Sequence, residues 1–303
     1  MTRELNLFLD KDTHVYTDSY GNTYNSVTTL TGDYKYVSDF NAIAAACEKI
    51  GKNPNHPKYP LYKNMTKRQI LKKWDKDKKK GATKGSIKHD YLETRLKKSL
   101  NYKVAPKLTQ PTQIFTINHI LQDHTYGTLD LDKLYRTHFK RKYPQILDFL
   151  TELHLKGYRM YPEICTYDPE ILLSGLIDLL LIKDTSMIIV DWKTNKDPKI
   201  MFEAGYYEKD NNNNFTGKYI QKDYRMKPPL DHLASSTGNQ HALQLSTYAR
   251  LTENFGFKLS GICLWHIREL DKIETASMIR MPYLKDEVNS ILHYTEDTDF
   301  RKV

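Results

Sequence analysis

Apolar residues are spaced in two different ways along this chain. Up to about residue 30 they come in short runs cut by turn signals. Leu5–Leu9 precedes Asp10-Lys11-Asp12, His14-Val15-Tyr16 precedes Tyr20-Gly21-Asn22, and Tyr24–Leu30 follows, a pattern of short strands. From Asp39 the spacing is helical. It predicts helices over about 39–50, closed by Gly51, then 66–80 after a Pro-containing loop at 53–60, then 83–99, 111–121 and 131–155. After Gly157 runs of strand formers return at 158–167, 171–182 and 186–192, parted by Asp168-Pro169 and Lys183-Asp184-Thr185. A polar insertion at about 195–238 contains the low-complexity run Asp210–Asn214, and a loop of that length inside a compact domain is functional or disordered. An amphipathic helix at 239–255 closed by Gly256, strands at 258–268 and 272–281, and a helix at 285–292 complete the chain. No long alternation of parallel βα units occurs, which argues against a doubly wound fold. The expectation is an α/β (α+β) fold, one mixed central sheet flanked by helices, with a helical N-terminal part.

Composition narrows the function classes. In 303 residues, 46 Lys and Arg face 37 Asp and Glu, a net charge of +9, and the mean hydropathy is -0.66. The longest apolar run, Ile177–Ile182, contains Asp178 and is far below the ~18–20 residues of a membrane span. The first residues carry no signal-peptide core. Cys47, Cys165 and Cys263 are odd in number and scattered, which excludes a disulfide framework and a complete cysteine set for zinc or an iron–sulfur cluster. A soluble protein of a reducing, cytoplasmic compartment is expected. The positive charge is local. Residues 67–88 hold ten basic groups, among them Lys76, Lys79, Lys80 and Lys84, against Asp75 and Asp77. Such a run serves either as a solvated helix face or as an electrostatic track for phosphates.

Candidate chemistry lies in the strands. Gly175-Leu176-Ile177-Asp178 is followed thirteen residues after Asp178 by Asp191-Trp192-Lys193. Asp191 and Lys193, two apart on a strand, share a face. Asp178 interrupts an apolar strand, where an ionised carboxylate is costly unless paired or coordinating. Two carboxylates from adjacent strands with a lysine beside them suit Mg²⁺ or Mn²⁺; an Asp–Lys pair at a strand end plus one hydrogen-bonded buried Asp fits the same residues. Glu163 lies on the preceding strand. Gln244 and Tyr248, four apart, fall on one face of the 239–255 helix. His89, in Gly85-Ser86-Ile87-Lys88-His89, puts an imidazole at the end of the basic stretch, with Glu93 one turn on.

In this order, Trp74, Gly85-x-x-x-His89, Glu163, Gly175-x-x-Asp178, Asp191-x-Lys193 and Gln244-x-x-x-Tyr248 resemble the PD-(D/E)XK nuclease superfamily. They are most similar to the branch of RecB-like nuclease domains, Cas4 proteins, mitochondrial genome maintenance exonucleases and phage exonucleases. Asn25-Ser26-Val27-Thr28-Thr29-Leu30 resembles the stretch before the nuclease core in the phage and mitochondrial members. The resemblance spans about 26–31 and 74–266. It implies a restriction-endonuclease-like core at 83–303, carrying the 195–238 insertion, with residues 1–82 as N-terminal strands and a basic helical region packed on it. It implies a metal-dependent DNA exonuclease of recombination, repair or replication, with one or two Mg²⁺ or Mn²⁺ ions and no iron–sulfur cluster. His89, Asp178, Asp191 and the Trp192 main-chain carbonyl would be metal ligands. Glu163, Asp178, Asp191, Lys193 and Gln244 would carry catalysis. Ser26, Thr28, Lys76, Lys79, Lys80, Lys84 and Tyr248 would contact DNA. The implied partners are DNA with a free or single-stranded end and a single-strand-binding or annealing protein, in the cytoplasm of a bacterial host if the chain is phage-encoded. The alternatives are a flap- or branch-selective endonuclease and a non-catalytic DNA-binding subunit. The intact Asp178, Asp191 and Lys193 argue against the subunit.

Overall fold

The N-terminal strands form where the apolar runs place them, with one change. β1 (Leu7–Asp10), β2 (Val15–Asp18) and β3 (Thr23–Ser26) make an antiparallel meander. The third stops at Ser26 instead of continuing to Leu30, because the Ser26 hydroxyl accepts from the Thr29 N–H at 3.0 Å and caps α1 (Val27–Asp33). The computed structural model describes residues 5–101, 112–125, 127–210, 212, 214–270 and 273–297.

α2 (Phe40–Ile50) and the short α3 (Tyr59–Tyr62) lead to α4 (Lys67–Lys98). A capping box between Thr66 and Gln69 opens α4. The separate helices expected at 66–80 and 83–99 are this one helix of 32 residues. Gly81 costs a helix only about 1 kcal/mol, too little to end one this long. α4 is therefore about 48 Å of uninterrupted helix at ~1.5 Å per residue, and it runs through the boundary drawn at residue 82. The expected helix at 111–121 is instead β4 (Thr112–Gln113), paired to β1, and α5 (Ile117–Gln122); Pro111 lies outside the described residues. The long helix expected at 131–155 divides into α6 (Leu131–Tyr135), α7 (Phe139–Lys142) and α8 (Pro144–Leu155). Pro144, lacking an N–H, begins a helix more readily than it continues one.

β5 (Arg159–Asp168), β6 (Leu173–Lys183) and β7 (Ser186–Lys193) follow as an antiparallel meander. The insertion folds into a separate hairpin, β8 (Gly205–Lys209) and β9 (Phe215–Gln221); Asn211 and Asn213 of its low-complexity run lie outside the described residues. α9 (Thr237–Glu253) crosses back to β10 (Lys258–Leu270), which lies parallel to β7, and β11 (Ile273–Arg280) and α10 (Lys285–Asp297) close the chain. The result is a nine-stranded mixed sheet with helices on both faces, an α/β architecture. β6 is its centre. β5 runs along one edge of β6, while β7 takes the C-terminal half of the other edge and β3 takes its N-terminal end, through Asn25 and Ser26. Between those two neighbours the edge of β6 is open.

One core lies under α1, α9 and α10, with Val27, Leu30, Leu243, Leu251, Val288 and Ile291. The other lies under the C-terminal half of α4 and α6–α8, with Leu92, Leu96, Leu134, Phe139, Ile146 and Leu150. A small separate cluster, Ala44, Cys47 and Ile70 with Trp74 against it, fixes α2 to the N-terminal half of α4. Among the described residues no helix is long and apolar enough to cross a membrane.

Candidate functional site

Strand register brings three carboxylates into one line. β5 pairs with β6 through Pro162 opposite Leu179 and Ile164 opposite Ile177, so Glu163 falls opposite Asp178 at the single interruption in that ladder. β6 pairs with β7 as far as Leu179 opposite Val190, so Asp191 falls opposite Asp178 one step beyond the last pair. Opposed residues share a face, with Cβ atoms ~4.5–5.5 Å apart. The interruption on β5 has a backbone cause: Glu163 has φ 56°, a left-handed conformation that a non-glycine residue adopts only where its surroundings enforce it. The apolar alternation slips at the same place. Tyr161 and Ile164 on β5, and Ile177 and Leu180 on β6, join one core cluster although each pair is three residues apart.

α4 supplies the fourth side. Gly85 allows its close approach, since a Cβ there would stand 3.0 Å from Thr194 Oγ1. Four residues on, His89 Nε2 lies 3.1 Å from Asp178 Oδ1. Glu93, one turn further, brings its carboxylate near Glu163, and the donor atoms of His89, Glu93 and Glu163 all lie within 4.8 Å of one another. Asp178 Oδ2 accepts from the Trp192 N–H at 3.0 Å. A side chain thus takes the bond that the β6–β7 ladder would have made had it continued. Asp191 Oδ1 accepts from Lys193 Nζ at 3.0 Å, while Oδ2, 2.9 Å from the same ammonium, is buried with no donor aligned on it.

The electrostatics follow from this crowding. Burial, with the charges of Asp178 and Glu93, pushes the Glu163 carboxyl up to about 8, and burial pushes Asp191 up to about 6 against the pull of Lys193. Burial also opposes the charge on Asp178, but His89, Lys193 and the Trp192 N–H outweigh it and its carboxyl lies below the usual range. The hydrogen bond to Asp178 lifts the His89 imidazole to about 9. Burial works against the Lys193 charge, and Asp191 and Asp178 outweigh it, so the ammonium stays protonated. Four carboxylates meet one imidazole and three lysines, Lys193 at Asp191 and Lys97 and Lys11 at Glu93, a hard-oxygen donor set whose charges are nearly balanced. With the unsatisfied Asp191 oxygen, that set fits a divalent cation.

The ligand set implied by the sequence is only partly assembled. His89 meets Asp178, but among the described residues the one trio of acid and imidazole donors close enough to share an ion is His89, Glu93 and Glu163. Asp178 is engaged by His89 and Trp192, and Asp191 by Lys193. The Trp192 main-chain group that reaches the acids is its N–H. Glu93 is the residue missed as a ligand; its spacing of four from His89 was the available signal.

Gln244 and Tyr248 share a face of α9, as their spacing predicts. Gln244 Nε2 donates to the Tyr248 hydroxyl at 2.9 Å and to Thr28 Oγ1 at 3.3 Å, so it braces α1 against α9 rather than reaching Lys193. Tyr248, expected at a DNA-contacting surface, is turned inward. It is buried, and its ring fills the place of a Gly175 side chain: a Cβ on Gly175 would lie 2.3 Å from Tyr248 Cε1. This interlock requires the glycine of Gly175-x-x-Asp178. Ser26, half-buried, spends its hydroxyl capping α1, whereas Thr28 is exposed. Lys76, Lys79, Lys80 and Lys84 are all exposed on α4. Of the ten basic groups at 67–88, Lys79 pairs with Asp75 at 2.8 Å and Lys88 with Glu269 and Glu274 at 3.2 and 3.1 Å. The other eight have no ion-pair partner among the described residues.

No family model and no curated protein matches this chain. A solved structure described as "Crystal structure of SSO0001" is similar to it over 70% of this chain and 87% of that one, at 15% identity and a TM-score of 0.23, too weak a likeness to bear on function.

Proposed function

We propose that this chain is a Mg²⁺- or Mn²⁺-dependent nuclease of the PD-(D/E)XK type that hydrolyses phosphodiester bonds from DNA ends. The observation that carries this reading is the register line of Glu163, Asp178 and Asp191 across β5, β6 and β7, faced by His89 and Glu93 on the helix that bears the unpaired lysines. A protein that only binds DNA has no need of a buried acid cluster, which is costly to keep unless its charges are paired or hold an ion. His89, Glu93, Glu163, Asp178 and Asp191 would hold the ion. Bound there, it lowers the pKa of a water ligand and offsets charge on the phosphate.

The chain's own residues do the rest. Lys193, held protonated between Asp191 and Asp178, is a fixed donor for an attacking hydroxide or a non-bridging phosphate oxygen and cannot act as a base. Asp178 links strand to helix by bonding both His89 and the Trp192 N–H at the β7 end. Gln244, Tyr248 and Thr28 lock α9 and α1 behind the cluster. The lysines at 76, 79, 80 and 84 draw phosphates along α4 toward His89.

The test is a gel with 5′- and 3′-labelled DNA, linear and circular, in Mg²⁺, Mn²⁺ or EDTA, beside Asp191→Ala. Metal-dependent loss of linear DNA alone, absent in the variant, is the expected result. Cutting of circles would replace it with the endonuclease reading, and binding without cleavage under either metal would sink the nuclease reading.

A further inference from the structure

The segment that joins α1 to α2, with the first turn of α2, exposes an unusual amount of apolar surface. Tyr36 is 40% exposed, Val37 70%, Phe40 59% and Ile43 43%. Two of these rings are already arranged as platforms. Tyr36 stacks on Tyr224 of the insertion, with centroids 4.5 Å apart and planes within 5°. Phe40 stands edge-on to Trp74 of α4 at 6.4 Å.

The strip has two defined ends. At the Tyr36 end, the Tyr36 N–H donates to Ser235 Oγ at 3.0 Å, beside the Ser236 cap of α9, and the Lys227 N–H donates to the Tyr34 carbonyl at 2.8 Å. This end therefore meets the start of α9, the helix that carries Gln244 and Tyr248. At the Phe40 end, α2 is packed on the lysine-bearing half of α4. Residues 34–84 contain 14 Lys and Arg against 4 Asp and Glu, a local charge of +10 in a chain of +9. Exposed rings beside a helix of mostly unpaired cations match a ligand that offers both flat apolar groups and anions.

We propose that Tyr36, Tyr224 and Phe40 form a stacking strip for the unpaired bases of single-stranded nucleic acid, whose phosphates follow the α4 lysines toward the acid cluster. The inference rests on the nuclease reading for its direction and names that site's substrate class. A duplex offers these rings nothing, because its base faces are covered by their neighbours, whereas every unpaired base has a free face. A protein partner, the other occupant such a surface admits, would have to be strongly acidic and would not distinguish single strands from duplex.

The experiment measures binding without cleavage. Fluorescence anisotropy is recorded in EDTA on an Asp191→Asn background, with a labelled single strand and with a hairpin duplex carrying the same number of phosphates. Tyr36→Ala and Phe40→Ala are each expected to weaken single-strand binding about 5- to 150-fold, the effect of ~1–3 kcal/mol per stacked base. Duplex affinity should be unchanged and the salt slope of both intact. Tyr36→Phe, which keeps the ring, should bind as the parent does, and an oligonucleotide with abasic sites should bind the parent as weakly as a normal one binds Tyr36→Ala. Equal losses on single strand and duplex, no loss on either, or a Tyr36→Phe as weak as Tyr36→Ala would each overturn the proposal. If the selectivity is found but the gel shows no cleavage, the strip stands and the nuclease reading falls. If cleavage is found without selectivity, only the strip falls.

Discussion

Asp178 and Asp191 face each other at the first step where β6 and β7 cease to pair. Had the ladder continued, both carboxylates would stand on a regular sheet, with their backbone groups saturated. Its end instead leaves the Trp192 N–H free for Asp178 Oδ2 and opens the edge of β6 that β3 occupies further along. The site is therefore a fork between strands, lined by acids because their positions share one register.

The first consequence concerns Lys193. Since Asp191 already holds its ammonium at 3.0 Å, Lys193→Ala should leave the strand and ion binding in place while removing a charge from the reacting phosphate. Cleavage should fall at least ~100-fold, with Mn²⁺ affinity by calorimetry little altered. Near wild-type cleavage would remove Lys193 from the mechanism.

Metal-free stability should fall as pH rises. Glu163 is raised from 4.5 to about 8, so between those values the folded chain keeps a proton that the unfolded chain has released, and stability declines across that window. His89 is raised from 6.5 to about 9; its contribution is complete below 6.5 and lost toward 9. The two add between 6.5 and 8. Melting temperatures in EDTA should drop from pH 6.5 to 8.5, the drop should shrink with Mn²⁺, and Glu163→Gln should shrink it without metal. Parallel curves with and without Mn²⁺ would mean that the acids hold no ion.

Gly175→Ala should destabilise the fold by about 1–3 kcal/mol through overpacking, because its Cβ would meet the Tyr248 ring at 2.3 Å. In the Tyr248→Leu background the same change should cost less, a coupling that denaturant titrations of the four proteins in the cycle would resolve. Additive costs would separate the two motifs.

Changing Lys76, Lys79 and Lys80 together to Glu should weaken DNA binding and flatten its salt dependence, by about 0.7–0.9 in log–log slope for each phosphate that the chain no longer neutralises. All three are exposed, so the melting temperature should hold. An unchanged slope would make the lysine run a solvated face.

Much of this was legible in the chain. The strands β5, β6, β7 and β10 and the helix α9 lie within a few residues of their apolar patterns, because each is buried on a face or on both and its period shows; β11, half-buried at most, was found by its turn signals and strand formers. What failed had a local cause outweighed by a longer-range one. Two helices were expected, parted at about 80–83, but α4 is held by packing at both ends, through Ile70 in one cluster and Leu92 and Leu96 in another. Tyr24–Leu30 has strand composition, yet Ser26 is a cap. In the site, Asp178, Asp191 and Lys193 stood out by residue type and spacing, while Glu163 and His89 were implied by the family resemblance, and the structure brings the five together. The left-handed backbone of Glu163 and the burial of Tyr248 were not foreseen, since neither residue type announces them; both depend on partners far away in sequence.

The continuity of α4 has a mechanical meaning. With no joint between Lys67 and Lys98, the helix is a stiff rod carrying unpaired lysines toward one end and His89 and Glu93 toward the other, pinned at Ile70, Leu92 and Leu96. The spacing between those lysines and the imidazole is therefore fixed by the helix itself, at ~1.5 Å for each residue between them.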